Sequence, residues 1–251
     1  MAIGNPAVAA RIAKPAGATN PFRAFLARYF YFAMSLVFAV VVVWGFSRTV
    51  DASLFHGNPP RPLLLWFHGA AFSAWVVFFI AQSALVRARN IKLHRTLGWF
   101  GAGLAATMVI LGCVVAVVMA RFDGVVLHQK DTDAFLAIPF LDMLSFGACM
   151  AFAIYWRKKP EYHRRLIFIA TCALMDAPIA RFDFIFDHNL FYVALDLLIA
   201  LGIARDLIVD KRIHQVYRYA LLALIPAQMV AVYLWRANPA WYQSITRAIL
   251  S

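Results

Sequence analysis

The chain has 251 residues, 63% of them hydrophobic and only 14% charged, with a mean hydropathy of +0.72. Soluble domains run at roughly 45–50% apolar and about 25% charged, so a water-soluble fold is excluded, because it would have nowhere to hide this much apolar surface. The net charge of +12 does not describe a nucleic-acid binder either: the 24 Lys and Arg fall in short clusters between apolar runs and form no continuous face.

The first stretch carries Arg11, Lys14, Arg23 and Arg28 among scattered Pro and Gly. It has no compact apolar segment ahead of a cleavage site, so residues 1–27 read as a cytoplasmic tail and not as a signal peptide. A crossing helix needs about 20 predominantly apolar residues. Seven runs qualify, at 29–46, 62–86, 97–120, 134–156, 165–181, 189–209 and 218–235. The fifth and sixth are short and carry acids; if they formed one re-entrant unit, the count would fall to five or six. The expected fold is all-α, a polytopic seven-helix transmembrane bundle over residues 28–236. Residues 237–251, opening Asn238-Pro239-Ala240-Trp241, read as an amphipathic tail lying along the outer surface.

Orientation follows from the basic clusters. With the N-terminus inside, the cytoplasmic segments hold the four tail residues, then Arg87, Arg89, Lys92 and Arg95, then Arg157 to Lys159 with Arg164 and Arg165, then Arg205, Lys211, Arg212 and Arg218. Only seven Lys or Arg remain for the other side, against 17, and every cytoplasmic loop agrees.

Pairing the spans suggests a 1+2+2+2 hairpin repeat. Each hairpin enters with one buried polar residue (His68, Asp142, Asp196) and returns with a histidine at the cytoplasmic edge (His94, His163, His214). A rise of about 1.5 Å per residue places His68, Asp142, Asp176, Asp196 and Gln228 about 7–10 Å inside the outer ends of five different helices. Ionisable groups at that depth turn inward, pair or line water. Three acids at one level need shared protons, or positive charge from His68, Arg181 or a metal ion. The expected site is therefore a ligand- or proton-binding cavity of His68, Asp142, Asp176, Arg181, Asp196 and Gln228. A metal in it would be held by His68, Asp142, Asp176 and Asp196, an oxygen-rich set suited to Mn, Mg or Fe. Such a cavity belongs to a membrane enzyme or redox-associated protein, or to a proton-coupled carrier. The structural alternative pairs Asp176 with Arg181 and leaves the others in interhelical hydrogen bonds.

At the cytoplasmic edge, His94, Arg95, His163, Arg164 and His214 stand near helix starts, where anions are favoured, and suggest a lipid-headgroup or other anion site. As haem ligands these histidines stand at the rim of the bundle, so haem fits less well than a metal ion. The chain has no HExxH, P-loop, GxSxG, dinucleotide fingerprint or HxxxH, and no Lys in its last span for retinal attachment. Cys113, Cys149 and Cys172 read as small buried thiols.

Leu65-Trp66-Phe67-His68-Gly69 with Trp75 and Gln82, His94-Arg95-Thr96-Leu97-Gly98, His163-Arg164-Arg165-Leu166, Met175-Asp176-Ala177-Pro178-Ile179-Ala180-Arg181 and Pro239-Ala240-Trp241 together resemble an uncharacterised family of bacterial seven-span membrane proteins. The resemblance covers nearly the whole chain. It implies fold, topology and a bacterial inner membrane, and assigns no catalytic residue. With the N-terminus cytoplasmic and the C-terminus outside, Lys158 and Lys130 should be labelled by an impermeant amine reagent from opposite sides of sealed vesicles; labelling of both from one side overturns the topology.

Overall fold

The structure, a computed structural model, describes residues 20–251, and all the regular structure among them is helical. Residues 1–19, with Arg11 and Lys14 of the expected tail, lie outside the described residues. Helix α1 spans Pro21–Ser47, starting ahead of the expected residue 29. Asn20 sets that start, its side chain accepting from the Phe22 amide, and Pro21 supplies a first-turn residue that has no N–H to satisfy. Then come α2 (Leu64–Arg87), α3 (Ile91–Arg121, continued by a π-helical turn to Val126), α4 (Ala137–Tyr155), α5 (Pro160–Cys172), α6 (Asp176–Ile179) and α7 (Asp183–Asp187). The chain closes with α8 (Phe191–Val209), α9 (Gln215–Ala237) and α10 (Ala240–Leu250).

Five segments are long and apolar enough to cross a bilayer: Pro21–Ser47, Leu64–Arg87, Ile91–Val126, Ala134–Tyr155 and Gln215–Ala237. Two of the seven expected spans are not among them. The 165–181 run is a helix of 13 residues, a break at 173–175, and the four-residue α6. Helix α8 has 19 residues but carries Asp196, Arg205 and Asp206. The returning helices of the three expected hairpins, α3, α5 and α9, have 31, 13 and 23 residues, so the repeat remains a pattern of sequence.

Position explains how α5 can be short and polar in part. It packs on α4, α8 and α9. Its Phe168 ring meets Phe30 and Phe38 of α1 at 5.6 and 5.8 Å, and Trp75 of α2 donates Nε1–H to Thr171 Oγ1 at 3.4 Å. Leu166 and Phe168 to Cys172 are all buried. A helix enclosed by protein needs no apolar exterior, and its polar groups find partners in its neighbours. The outward faces carry the exposed apolar side chains instead: Val43, Val77, Ile110, Leu144, Leu222 and Met229 among them. A monomer in water does not carry so broad an apolar belt; a bilayer covers it.

Two close approaches fix the end of the bundle opposite the basic clusters. Gly45 of α1 lies on the backbone of α6, where an added Cβ would stand 2.2 Å from the Pro178 carbonyl oxygen. Helix α10 lies across that end. Tyr242 donates its hydroxyl to the Ala134 carbonyl, Thr246 donates to Asp133, and Arg121 holds the Leu250 carbonyl. Trp241, Ile245 and Ile249, four residues apart in turn, form its exposed stripe.

Gly45→Ala should lower stability by about 1–3 kcal/mol, because the overlap is with backbone that cannot rotate away. Gly69→Ala, where a Cβ meets nothing within 4 Å, should leave the thermal midpoint in detergent unchanged or raised. Equal behaviour of the two would refute the α1–α6 contact.

Candidate functional site

At the end opposite the basic clusters, α4 and the α5–α6 break bring two carboxyl groups together. Asp142 lies on the inward face of α4, and the break at 173–175 turns the chain so that Asp176 opens α6. Both are buried, and their carboxyl groups lie within hydrogen-bonding reach of each other. Tyr192, at the start of α8, donates its hydroxyl to Asp142 Oδ1 at 3.1 Å. Two carboxylates in mutual contact repel when both are charged, and a proton between them removes the repulsion.

The pair forms the floor of a cavity of about 160 Å³, lined also by Phe135, Ile138, Phe191 and Arg181. Arg181 is exposed, with its guanidinium 5.3 Å from the centre of the Phe46 ring. It forms no ion pair with Asp176 among the described residues. Behind Asp142, a second space of about 10 Å³ is shared by Ser145, Tyr192 and Gln228, room for about one water. Gln228 donates Nε2–H to Asp196 Oδ1 at 3.1 Å, so Asp196 joins the cluster one hydrogen bond removed.

His68 stands apart from these acids. It begins the inward stripe of α2 that continues through Phe72, Trp75, Phe79 and Gln82, but its ring stacks on Phe72 with centroids 4.1 Å apart. The charge acting on it is a cation, Arg181. Equal depth along two helices does not bring their side chains to one point, and among the described residues no group of three or more His, Cys, Asp or Glu converges as a metal site would require. The expected ligand set His68, Asp142, Asp176 and Asp196 is therefore not assembled.

At the basic end the expected anion site divides. His94 and His163 come together, with ring centroids 6.4 Å apart. His214 packs edge-on against Tyr162 at 4.8 Å, and its Nδ1 accepts from the Val216 amide to cap α9. Arg164 bonds Glu161 at 2.5 Å and lies over the Tyr31 ring, and Arg95 is exposed.

The group that sequence reasoning passed over lies between α5 and α8. Arg165, 1% exposed, holds Asp206, 0% exposed, through two hydrogen bonds of 2.8 and 2.7 Å. It also bonds Asp210 at 2.9 Å and the Glu161 carboxylate at 2.6 Å. Arg205 closes the network onto Asp206 and Asp210 at 2.9 and 2.6 Å, and the His214 amide donates to Asp206. The sequence holds the signal: Glu161 stands four before Arg165, and Asp206 lies between Arg205 and Asp210. Counted as orientation signals, these arginines were never matched to acids.

Comparison with known proteins found no matching family model, curated protein or solved structure. The resemblance to bacterial seven-span proteins thus rests on the motifs quoted for it.

Removing one partner of this buried, bidentate pair leaves the other charge only partly compensated, by Arg205 or by Asp210 and Glu161, so Arg165→Met and Asp206→Leu should each cost up to about 3–5 kcal/mol. The double variant should be more stable than either single one when unfolding is followed by circular dichroism in detergent. Additive losses would mean that the two side chains do not act as a pair.

Proposed function

We propose that the chain is a seven-crossing membrane protein whose working centre is a proton-binding carboxyl pair, Asp142 and Asp176, at the floor of a cavity open to the outer face. One observation carries this reading: two buried carboxyl groups lie within hydrogen-bonding reach of each other, Tyr192 bonds Asp142, neither forms an ion pair among the described residues, and both line a space large enough for a small solute. Intramembrane acids are costly, and a purely structural role would be served by amides. Five crossings are the long apolar helices; the broken α5–α6 and the charged α8 supply the other two, shielded by their neighbours. The bias of Lys and Arg places the basic end in the cytoplasm.

With one shared proton the pair carries a single negative charge beneath Arg181 at the cavity mouth. A second proton neutralises it. A polar solute that hydrogen-bonds the ionised pair competes with that proton, and by linkage each changes the affinity for the other by the same factor. This is the elementary step of a proton-coupled carrier, and the aromatic walls, Phe135 and Phe191, suit a small solute with an apolar side. The pair offers only oxygen ligands from two residues, and no third His, Cys, Asp or Glu joins them among the described residues, so the support is for proton exchange and not for metal catalysis.

Infrared difference spectra of the detergent-solubilised protein between acid and neutral pH should contain the C=O stretch of a protonated buried carboxylic acid. Asp142→Asn and Asp176→Asn should each remove or shift that band, while Asn keeps the hydrogen bond from Tyr192 or to its neighbour and the protein stays folded. A spectrum with no such band in wild type, or one unchanged in both variants, rejects the reading and leaves the cluster a structural one.

A further inference from the structure

His94 and His163 are each the fourth residue of their helices, α3 and α5, and the fold brings both to the basic end of the bundle beside α2. The contacts around the two rings settle which nitrogens are free. His163 Nδ1 lies 2.9 Å from the Ala153 carbonyl, and a carbonyl only accepts, so Nδ1 carries the proton and Nε2 keeps its lone pair. His94 Nδ1 is buried with no partner among the described residues. His163 is therefore oriented by a carbonyl of a neighbouring helix, and His94 offers a buried ring nitrogen that nothing else occupies. Metal-binding histidines are held in this way, the second nitrogen fixing ring and tautomer.

The spacing agrees. A metal–nitrogen bond of about 2.1 Å places the ring centre about 3.2 Å from the ion, so two imidazoles on opposite sides of one ion have centres about 6.4 Å apart; these two are 6.4 Å apart, with planes at 83°. Beside them Gln82, 7% exposed, has both amide atoms buried without a partner, which leaves its carbonyl oxygen free as a further ligand or as an acceptor for a bound water. No carboxylate bonds either ring among the described hydrogen bonds. Neutral nitrogen ligands select copper, zinc, nickel or iron over magnesium and calcium.

The geometry points to His94 and His163 as a two-imidazole site for a transition metal at the cytoplasmic end, separate from the Asp142–Asp176 cavity. Imidazole ligation is the shared chemistry of two sources, a free metal ion and the iron of a haem, and one experiment separates them. The full chain, purified without a histidine tag, is titrated with cupric ion and, in parallel, with ferric haemin. Electron paramagnetic resonance of the copper sample should show hyperfine coupling to two nitrogens if the site takes a free ion. A sharpened, red-shifted Soret band with a low-spin signal in the haemin sample assigns the site to haem iron. His94→Gln and His163→Gln should each weaken the supported binding at least tenfold, whereas His214→Gln, whose ring caps α9, should bind as wild type does. Two-nitrogen coupling in neither sample and no low-spin haem overturns the proposal, as does binding that His94→Gln and His163→Gln leave intact. Because the wild-type spectra decide on their own, a variant that fails to fold does not leave the question open. Failure here leaves the carboxyl pair untouched, since that reading is tested by Asp142 and Asp176.

Discussion

The arrangement of this protein depends on a charged pair inside the bundle. Arg165 and Asp206 are fully enclosed and neutralise each other with two parallel hydrogen bonds, supported by Arg205, Asp210 and Glu161 around them. The fork of a guanidinium on a carboxylate fixes distance and rotation together, so α5 and α8 have one relative setting at the basic end. Everything toward the other end follows from that setting. Asp206 and Tyr192 share α8, about 21 Å apart at 1.5 Å per residue, and Arg165 and Asp176 bracket the central α5–α6 segment. Once the pair is locked, the Tyr192 hydroxyl and the Asp176 carboxyl are both delivered to Asp142 on α4.

The central place of α5 also accounts for what a reader of the sequence sees and misses. Helices α1 to α4 and α9 announce themselves because their outward faces are exposed and apolar, and each is long and apolar enough to cross a bilayer. Helix α5 is enclosed by its neighbours, so its sequence holds Arg165 and Thr171 where a span would hold leucines, and the chain breaks before Asp176 opens α6. The proline three residues into α6 and the glycine of α1 facing it were visible separately, but their contact was not. Charge counting misled in a related way. The rule that cytoplasmic loops are basic assigns the overall orientation, yet it takes every arginine as a loop marker, and Arg165 and Arg205 are interior groups with acids as partners.

The polar band shows the same limit from the other direction. Depth along a helix is nearly one-dimensional, so residue counting found that Asp142 and Asp176 share a level, and the α5 break brings them into contact. Rotation about the helix and the stacking of neighbours are not in the count. His68 has the depth of the acids but spends its flat face on Phe72. At the opposite end three histidines looked equivalent by spacing, and the structure gives them three uses: a ring with an unpartnered nitrogen, a ring tied to a carbonyl, and a helix cap.

An enclosed, weakly apolar helix has a consequence for biogenesis. Segments of a multi-pass protein leave the translocon in order, and each is retained by its own preference for lipid. In the seven-crossing arrangement α5 has little such preference and two adjacent arginines at its leading edge, so its retention relies on α1 to α4 already standing around its place. Its countercharge, Asp206, is made about forty residues later, and until α8 arrives Arg165 has only Glu161 on its own helix. The centre of the bundle is therefore the last part to be completed. Synthesis halted between α5 and α8 leaves Arg165 without the two acids that the end of α8 supplies.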